Sequence, residues 1–237
     1  MLVIANGCSH TAGGEIEHSL QSTCYAKAWP KKFADKLGAD HYNLAISGAS
    51  NHRVLRTTID FISSLKVKRG YDPSNIFCTI MWPGMYRAEL YQTEKNEKGF
   101  YDNGWRPYVS GNDDRKETST KAWIYFKAWL LRMNPTQETI DYYLSIITLQ
   151  NYLAINKIKY LFYNGCKNVP QPARTFEREI FQSRFPHMLS EDKSFTQLMH
   201  SEGFVWPDHS VYAHYGEDAH EWFANYLYDY ATTNKLF

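Results

Sequence analysis

Gly7-Cys8-Ser9-His10-Thr11 stands directly after a short apolar run, Leu2 to Ala5, that stops at Asn6-Gly7. A run of that kind closed by a turn reads as a buried strand. A serine just past it lies at the carboxyl edge of a sheet, where its hydroxyl can meet a ligand and its own N–H can stabilise an oxyanion. The same pentapeptide also fits a turn in which Ser9 only satisfies loop backbone, and the residues alone leave both readings open. Metal chemistry is the rival. His10, Asp208, His209 and His214 are suitable ligand types, but their spacing fits no metal motif, so no metal is expected. Ala12-Gly13-Gly14 lacks the lysine and the spacing of a phosphate-cradling loop.

The elements that must position these residues alternate between strand and helix. The stretch from Ser22 to Leu37 carries Trp29, Phe33 and Leu37 at helical spacing and stops at Gly38. Pro30 inside it means a break, or a helix that begins near Trp29. Tyr42 to Ile46 reads as a second strand, and Gly48 and Ser50-Asn51 as a turn, with Asn51 placed to cap the following helix. That helix puts Val54, Leu55, Thr58, Ile59, Ile62 and Leu65 on one face. Lys66, Lys68 and Arg69 form a short basic cluster at its end, where cations are favoured. Asp72-Pro73 is a loop, and Ile76 to Trp82 a third apolar strand broken by Pro83-Gly84.

Beyond Met85 the pattern changes. Glu94 to Thr120 is polar and holds Gly99, Gly104, Pro107 and Gly111, which predicts an irregular insertion that could act as a lid. Ala122 to Met133 is helical and aromatic-rich. Thr136 to Asn156 is a long helix with Ile140, Tyr143, Leu144, Ile147 and Leu153 as its apolar side. Ile158 to Tyr163 is the next strand, ending at Asn164-Gly165, and Val169 to Phe204 is mixed, with short helical pieces at best. Glu217 to Thr232 is a last helix carrying Trp222, Phe223, Tyr226 and Leu227. Such alternation predicts parallel βαβ units with ligands at the carboxyl ends of the strands. The expected fold is α/β: a three-layer α/β/α sandwich around a mainly parallel sheet. It forms one domain over 1–237, with the insertion at about 85–135.

Three blocks in this frame resemble those of the SGNH (GDSL) hydrolase family. Gly7-Cys8-Ser9 resembles the Gly-Asp-Ser nucleophile block after the first strand, with Cys8 in place of the usual acid. Its Gly-Cys-Ser-His-Thr form is similar to variants in tailed-phage proteins and bacterial relatives. Asn43-Leu44-Ala45-Ile46-Ser47-Gly48 resembles the second block, and the resemblance makes the Gly48 N–H an oxyanion-hole donor beside that of Ser9. His214-Tyr215-Gly216-Glu217-Asp218-Ala219-His220 resembles the last block, which makes His214 the base and leaves His220 a helix residue packing nearby.

Two features depart from the family. Val211 stands three residues before His214, where the family has Asp; Asp208, six before, is the candidate triad acid, the alternative being a Ser9–His214 dyad or a Pro-Asp turn. After the third strand the family's Asn is missing from Met81-Trp82-Pro83-Gly84-Met85-Tyr86-Arg87. Arg87 could supply a charged donor instead, or pair with Glu89; Asn51 and Asn164 are the other amides just past a strand. The resemblance implies a flavodoxin-like sheet and hydrolysis of an ester through an acyl-Ser9 intermediate, with no cofactor. The substrate would be an acetylated sugar, a lipid ester or another small ester. The competing reading is an SGNH-fold binding or structural protein without turnover, such as a phage virion component.

Composition narrows the partners. The 237 residues carry a formal net charge of +1 with no long block of one sign, which argues against nucleic-acid binding. Aromatics make up 16%, with 18 Tyr and 7 Trp, which leans toward a carbohydrate ester or a protein interface. The four cysteines, Cys8, Cys24, Cys78 and Cys166, are widely spaced with no Cys-x-x-Cys pair. That fits a reduced, intracellular chain better than a disulfide framework. With no leader-like start and no stretch of membrane-spanning length, the expectation is a soluble protein made in the cytoplasm, or a virion component released by lysis.

Overall fold

The structure is a computed structural model and describes residues 1–17, 24–91, 105–109, 120–166, 188–189, 194–208, 210 and 213–237. Its seven strands are β1 (Leu2–Asn6), β2 (Asp40–Asn43), β3 (Ile76–Trp82), β4 (Arg87–Tyr91), β5 (Trp105–Val109), β6 (Lys159–Asn164) and β7 (Met188–Leu189). Its helices are α1 (Ser9–Ala12), α2 (Trp29–Lys36), α3 (Asn51–Arg69), α4 (Thr120–Arg132), α5 (Pro135–Ile155), α6 (Phe195–Ser201) and α7 (Glu217–Thr233).

Five strands form one parallel sheet in the order β2-β1-β3-β6-β7. The chain leaves β1 for β2 on one flank and returns to β3 on the other, so the strand order reverses at β1. In open α/β sheets the crevice beyond the carboxyl ends at such a point is where ligands bind. Ser9 stands at this crevice.

Both faces of the sheet are covered, which is why β1, β3 and most of β6 are buried on both sides and mostly apolar rather than alternating with polar residues. Side chains still alternate between faces. Leu2 and Ile4 of β1 and Ile76, Cys78, Ile80 and Trp82 of β3 pack on α3 and α5 through Val54, Ile62, Leu65, Ile146, Leu149 and Leu153. Val3, Ala5, Phe77 and Met81 face α2, α6 and α7 through Trp29, Phe33, Phe195, Met199, Phe223 and Leu227. The expected three-layer α/β/α arrangement and flavodoxin-like strand order are those observed.

Several local expectations shift. The second strand is Asp40–Asn43 rather than Tyr42 to Ile46. Leu44 still donates to the Ala5 carbonyl at 2.8 Å, but beyond it the backbone turns away to build the Gly48 loop. The cap of α3 is Ser50, whose Oγ accepts from Arg53 N, and Asn51 is the first helical residue. On α5 the buried side is Thr139, Tyr142, Ser145, Ile146, Leu149 and Leu153, while Leu144 is exposed. Its apolar residues are spread around the helix rather than gathered in one stripe, so periodicity alone misplaces its inner face. Within the insertion, β4 and β5 pair as an antiparallel two-stranded sheet, and the rest of the polar stretch lies mostly outside the described residues. No helix among the described residues is long and apolar enough to cross a membrane.

Candidate active site

The turn that holds Ser9 is fastened from three sides. Asn6, the last residue of β1, is fully buried and its amide reaches Thr57 Oγ1 and Thr58 Oγ1, each at 2.9 Å, and the Val54 carbonyl at 3.3 Å. Its Oδ1 accepts the Gly7 N–H at 2.8 Å. Gly7 has no room for a side chain, because a Cβ there would sit 2.7 Å from the Met81 carbonyl oxygen. Cys8 then caps the single turn of α1, its carbonyl accepting from Thr11 N at 2.9 Å and Ala12 N at 3.0 Å. From the β2 side, Asn43 Nδ2 donates to the Thr11 carbonyl at 2.8 Å while its Oδ1 accepts from Ala45 N at 3.1 Å. Asn43 is therefore a strap between the Ser9 turn and the loop that carries Gly48.

His214 comes from the other end of the chain, just before α7. Its Nδ1 lies 2.8 Å from Glu15 Oε2. The same carboxylate oxygen accepts the Ser210 hydroxyl at 2.8 Å, and Ser210 Oγ in turn accepts the His214 N–H at 2.8 Å. Ring and backbone of His214 are thus both tied to one buried acid. The other ring nitrogen lies beside Gly14. The point that a Cβ on Gly14 would occupy is 3.2 Å from Ser9 Cβ and 3.4 Å from His214 Nε2. Glycine leaves that space open between the two side chains. Ser9 and His214 are each only 6% exposed, and Glu15 5%, so the three groups are shielded from bulk water. Glu15 and Ala213, the residue before His214, both have φ near 58°. Non-glycine residues rarely adopt that conformation, and it concentrates at functional sites.

Chemically, this is a hydroxyl, an imidazole and a carboxylate in series. A carboxylate on Nδ1 fixes the tautomer with Nε2 free to accept a proton, and it stabilises the imidazolium that results. The His10 ring packs edge-on to His214 at 4.9 Å between centroids and against Phe195 at 5.3 Å. Burial, with the His214 charge next, pulls the His10 pKa well down, so His10 is a neutral wall of the site.

Asp208 does not meet His214: it is exposed, and the acid in that place is Glu15. The reason is topological. Gly13, in the left-handed conformation at φ 73°, ends α1 and lets the chain double back, bringing Glu15 behind the imidazole. Gly48 is buried in a Ser47-Gly48 turn at φ 77°, a conformation that favours glycine. Asn51 donates to the Gly84 carbonyl at 3.4 Å, and its buried Oδ1 has no partner among the described residues. Arg87 does not pair with Glu89, which Arg56 holds instead at 3.2 Å. Its guanidinium turns inward to the Ala49 carbonyl at 3.3 Å and Cys166 Sγ at 3.8 Å. Asn164 accepts a hydrogen bond from Tyr142. His220 is buried under α2, its Nδ1 accepting the Trp29 N–H at 3.2 Å. His209 and Val211 lie outside the described residues. Among the described residues no group of three His, Cys, Asp or Glu is placed to hold a metal ion.

Sequence reading missed Glu15, Ser210 and the role of Gly14. A Gly-Gly-Glu step right after the nucleophile turn was the available signal, because paired glycines let a chain fold back on itself.

A family model described as "Family of unknown function (DUF6071)" matches residues 14–231, and the chain belongs to that family. No curated protein is similar in sequence. Among solved structures, a lipolytic protein of the G-D-S-L family from Veillonella parvula is similar at TM-score 0.53 and 12% identity, over 98% of each chain. The psychrotrophic esterase EstA from Pseudoalteromonas sp. is similar at TM-score 0.50 and 12% identity, over 98% of this chain and 97% of that one. A carbohydrate esterase with divergent catalytic and non-catalytic binding functions gives TM-score 0.50 and 12% identity. The present chain is matched over 98% of its length but spans only 64% of that protein. At these identities the likeness shows the fold, that of SGNH hydrolases.

Proposed function

We propose that this chain is a serine hydrolase that cleaves an ester through an acyl-Ser9 intermediate, with His214 as general base and Glu15 as the acid behind it. The observation that carries the reading is the place of one ring: His214 has Nδ1 on Glu15, and its Nε2 and the Ser9 side chain both border the space beside Gly14. As Ser9 Oγ attacks the acyl carbon, Nε2 takes its proton, and the imidazolium forms against the Glu15 carboxylate. The proton then passes to the leaving alcohol. In the second half, water repeats the attack on the acyl-enzyme and Ser9 is regenerated.

The negative oxygen of each tetrahedral intermediate needs donors. The N–H groups of Ser9 and Gly48 are assigned to it, with the Arg87 guanidinium adding positive charge nearby. Arg87 and Asn51 also tie the Gly48 loop to the end of β3 through the Ala49 and Gly84 carbonyls. Removing one such donor from a hydrolase site costs about a hundredfold or more in rate.

Within esters, O-acetyl groups on a carbohydrate are the proposed substrate class. Aromatic residues suited to sugar faces and the fold shared with carbohydrate esterases support it. A non-catalytic binding protein is the other reading. The absence of the family's Asp three residues before His214 would favour it, but Glu15 stands against the ring instead. A panel of p-nitrophenyl acyl esters and acetylated oligosaccharides, run on wild type and Ser9→Ala, tests the proposal. Hydrolysis by wild type that Ser9→Ala loses supports it; equal rates, or none from either, count against it.

A further inference from the structure

Ser210 stands between the acid and the base of the site and touches both. Its N–H donates to the Pro207 carbonyl at 2.8 Å, which closes a turn and fixes where the side chain starts. Its Oγ accepts the His214 N–H at 2.8 Å, and its hydroxyl donates to Glu15 Oε2 at 2.8 Å. Ala213, at φ 58°, turns the chain just before His214. The same Glu15 oxygen lies 2.8 Å from His214 Nδ1. These bonds close a ring of contacts that runs from the His214 backbone through Ser210 and Glu15 to the His214 imidazole.

One link of that ring has a fixed direction. A backbone N–H donates and cannot accept. Ser210 Oγ must therefore accept there, and its own proton is left for Glu15. A hydrogen bond given to a carboxyl oxygen favours the ionised form of the group. Once Oε2 carries no proton, its contact with Nδ1 needs a proton from the imidazole, which puts that proton on Nδ1 and leaves Nε2 bare. Burial works the other way. Glu15 is only 5% exposed, and a buried carboxyl prefers to be neutral. The two donors on Oε2 oppose that preference, and the Ser210 hydroxyl is the one that keeps its proton at every pH the protein meets.

We propose that Ser210 is a positioning residue whose hydroxyl sets the proton arrangement of the site. It passes the fixed direction of the His214 N–H on to Glu15 and so holds the imidazole in its Nδ1–H form. The effect on Ser9 rests on the hydrolase reading; the tautomer does not. In the Nδ1–H form, Nε2 is the nitrogen able to take the Ser9 proton. Without the hydroxyl, Oε2 loses a donor, the His214 N–H loses its acceptor, and the imidazole is free to carry its proton on either nitrogen.

The test is ¹⁵N NMR of the full chain labelled at histidine, at a pH where the imidazoles are neutral. Ring nitrogens with and without a proton resonate far apart, so the spectrum reads the tautomer directly, and the His214 signals are those missing from His214→Gln. The expected result is wild-type His214 protonated on Nδ1 alone. Ser210→Ala should show both tautomers, and its labelling by a fluorophosphonate should slow about tenfold or more, the scale of one lost hydrogen bond to a charged group. Ser210→Thr keeps the hydroxyl and should restore both the single tautomer and the rate. Wild-type His214 with its proton on Nε2 overturns the proposal with no variant needed. Ser210→Ala that keeps the Nδ1–H form overturns it too, whatever its labelling rate, because a residue that only steadies the loop would behave that way. If Ser210→Ala does not fold, Ser210→Thr decides: a single Nδ1–H form supports the proposal and a mixture overturns it. If folded wild type never labels at Ser9, the hydrolase reading fails by itself, while the wild-type spectrum still decides the tautomer.

Discussion

Glu15 Oε2 takes both the His214 ring, at 2.8 Å, and the Ser210 hydroxyl, at 2.8 Å. A residue six positions after the nucleophile thereby orients a base that arrives from the far end of the chain. Glu15→Gln keeps the size of the side chain and removes its charge. With the wrong group opposite Nδ1, the ring loses its fixed tautomer and the imidazolium loses its counter-charge. The fluorophosphonate labelling rate should fall about a hundredfold or more, with the folded state retained by circular dichroism. Asp208→Asn, changing an exposed carboxylate, should leave the rate unchanged. A normal rate in Glu15→Gln would return the site to a dyad.

Gly14 guards the gap between nucleophile and base. A methyl group there would stand 3.2 Å from Ser9 Cβ, closer than most real Cβ contacts, and 3.4 Å from His214 Nε2, in contact with it. Gly14→Ala should therefore push the two side chains apart. Labelling is expected to drop about a hundredfold, while the melting temperature moves by only a few degrees. A fully active Gly14→Ala would mean that Ser9 and His214 do not work across this gap.

Buried His220 predicts a pH dependence of stability. Burial, and then the nearby positive charges of His214 and Lys32, push its pKa down to about 3. In the unfolded chain a histidine titrates near about 6.5. Between those values the unfolded state binds a proton that the folded state refuses. The stability present above pH ~6.5 is therefore lost as pH falls toward 3, with a slope approaching about 1.4 kcal/mol per pH unit. His10, lowered by burial in the same direction, acts in the same window. His220→Asn, whose Oδ1 can still accept the Trp29 N–H, should lose less stability than wild type between pH 7 and pH 5 in urea unfolding. Parallel losses in the two proteins would contradict the account.

Asn43 straps the Ser9 turn to the Gly48 loop through Thr11 and Ala45. Asn43→Ala should cost about 1–2 kcal/mol of stability, from a lost pair of hydrogen bonds, and slow labelling with it. Unchanged labelling in a destabilised variant would make the strap purely structural.

What the sequence made legible follows from how far each signal reaches. The strands β1 and β3 and their helices were readable, because apolar runs and helical spacing are local. Ser9 and Gly48 stand beside such strands, so their positions followed from the same signals. The acid was not readable, because the contact between Glu15 and His214 joins the two ends of the chain and needs the fold-back at Gly13. Asp208 looked better only because it is near His214 in sequence. On α5 the signal was present but ambiguous, since Leu144 and Ile146 are equally apolar and only packing decides which is buried.

The central claim is that Ser9 is an activated nucleophile, and the direct measurement is covalent capture. A fluorophosphonate added to the wild-type chain should add one phosphonyl group, and the mass of the modified peptide should place it on Ser9. Ser9→Ala should take up none, and His214→Ala should react at least about a hundredfold more slowly. A wild-type chain that stays unmodified, or that labels as readily after Ser9→Ala, would contradict the account.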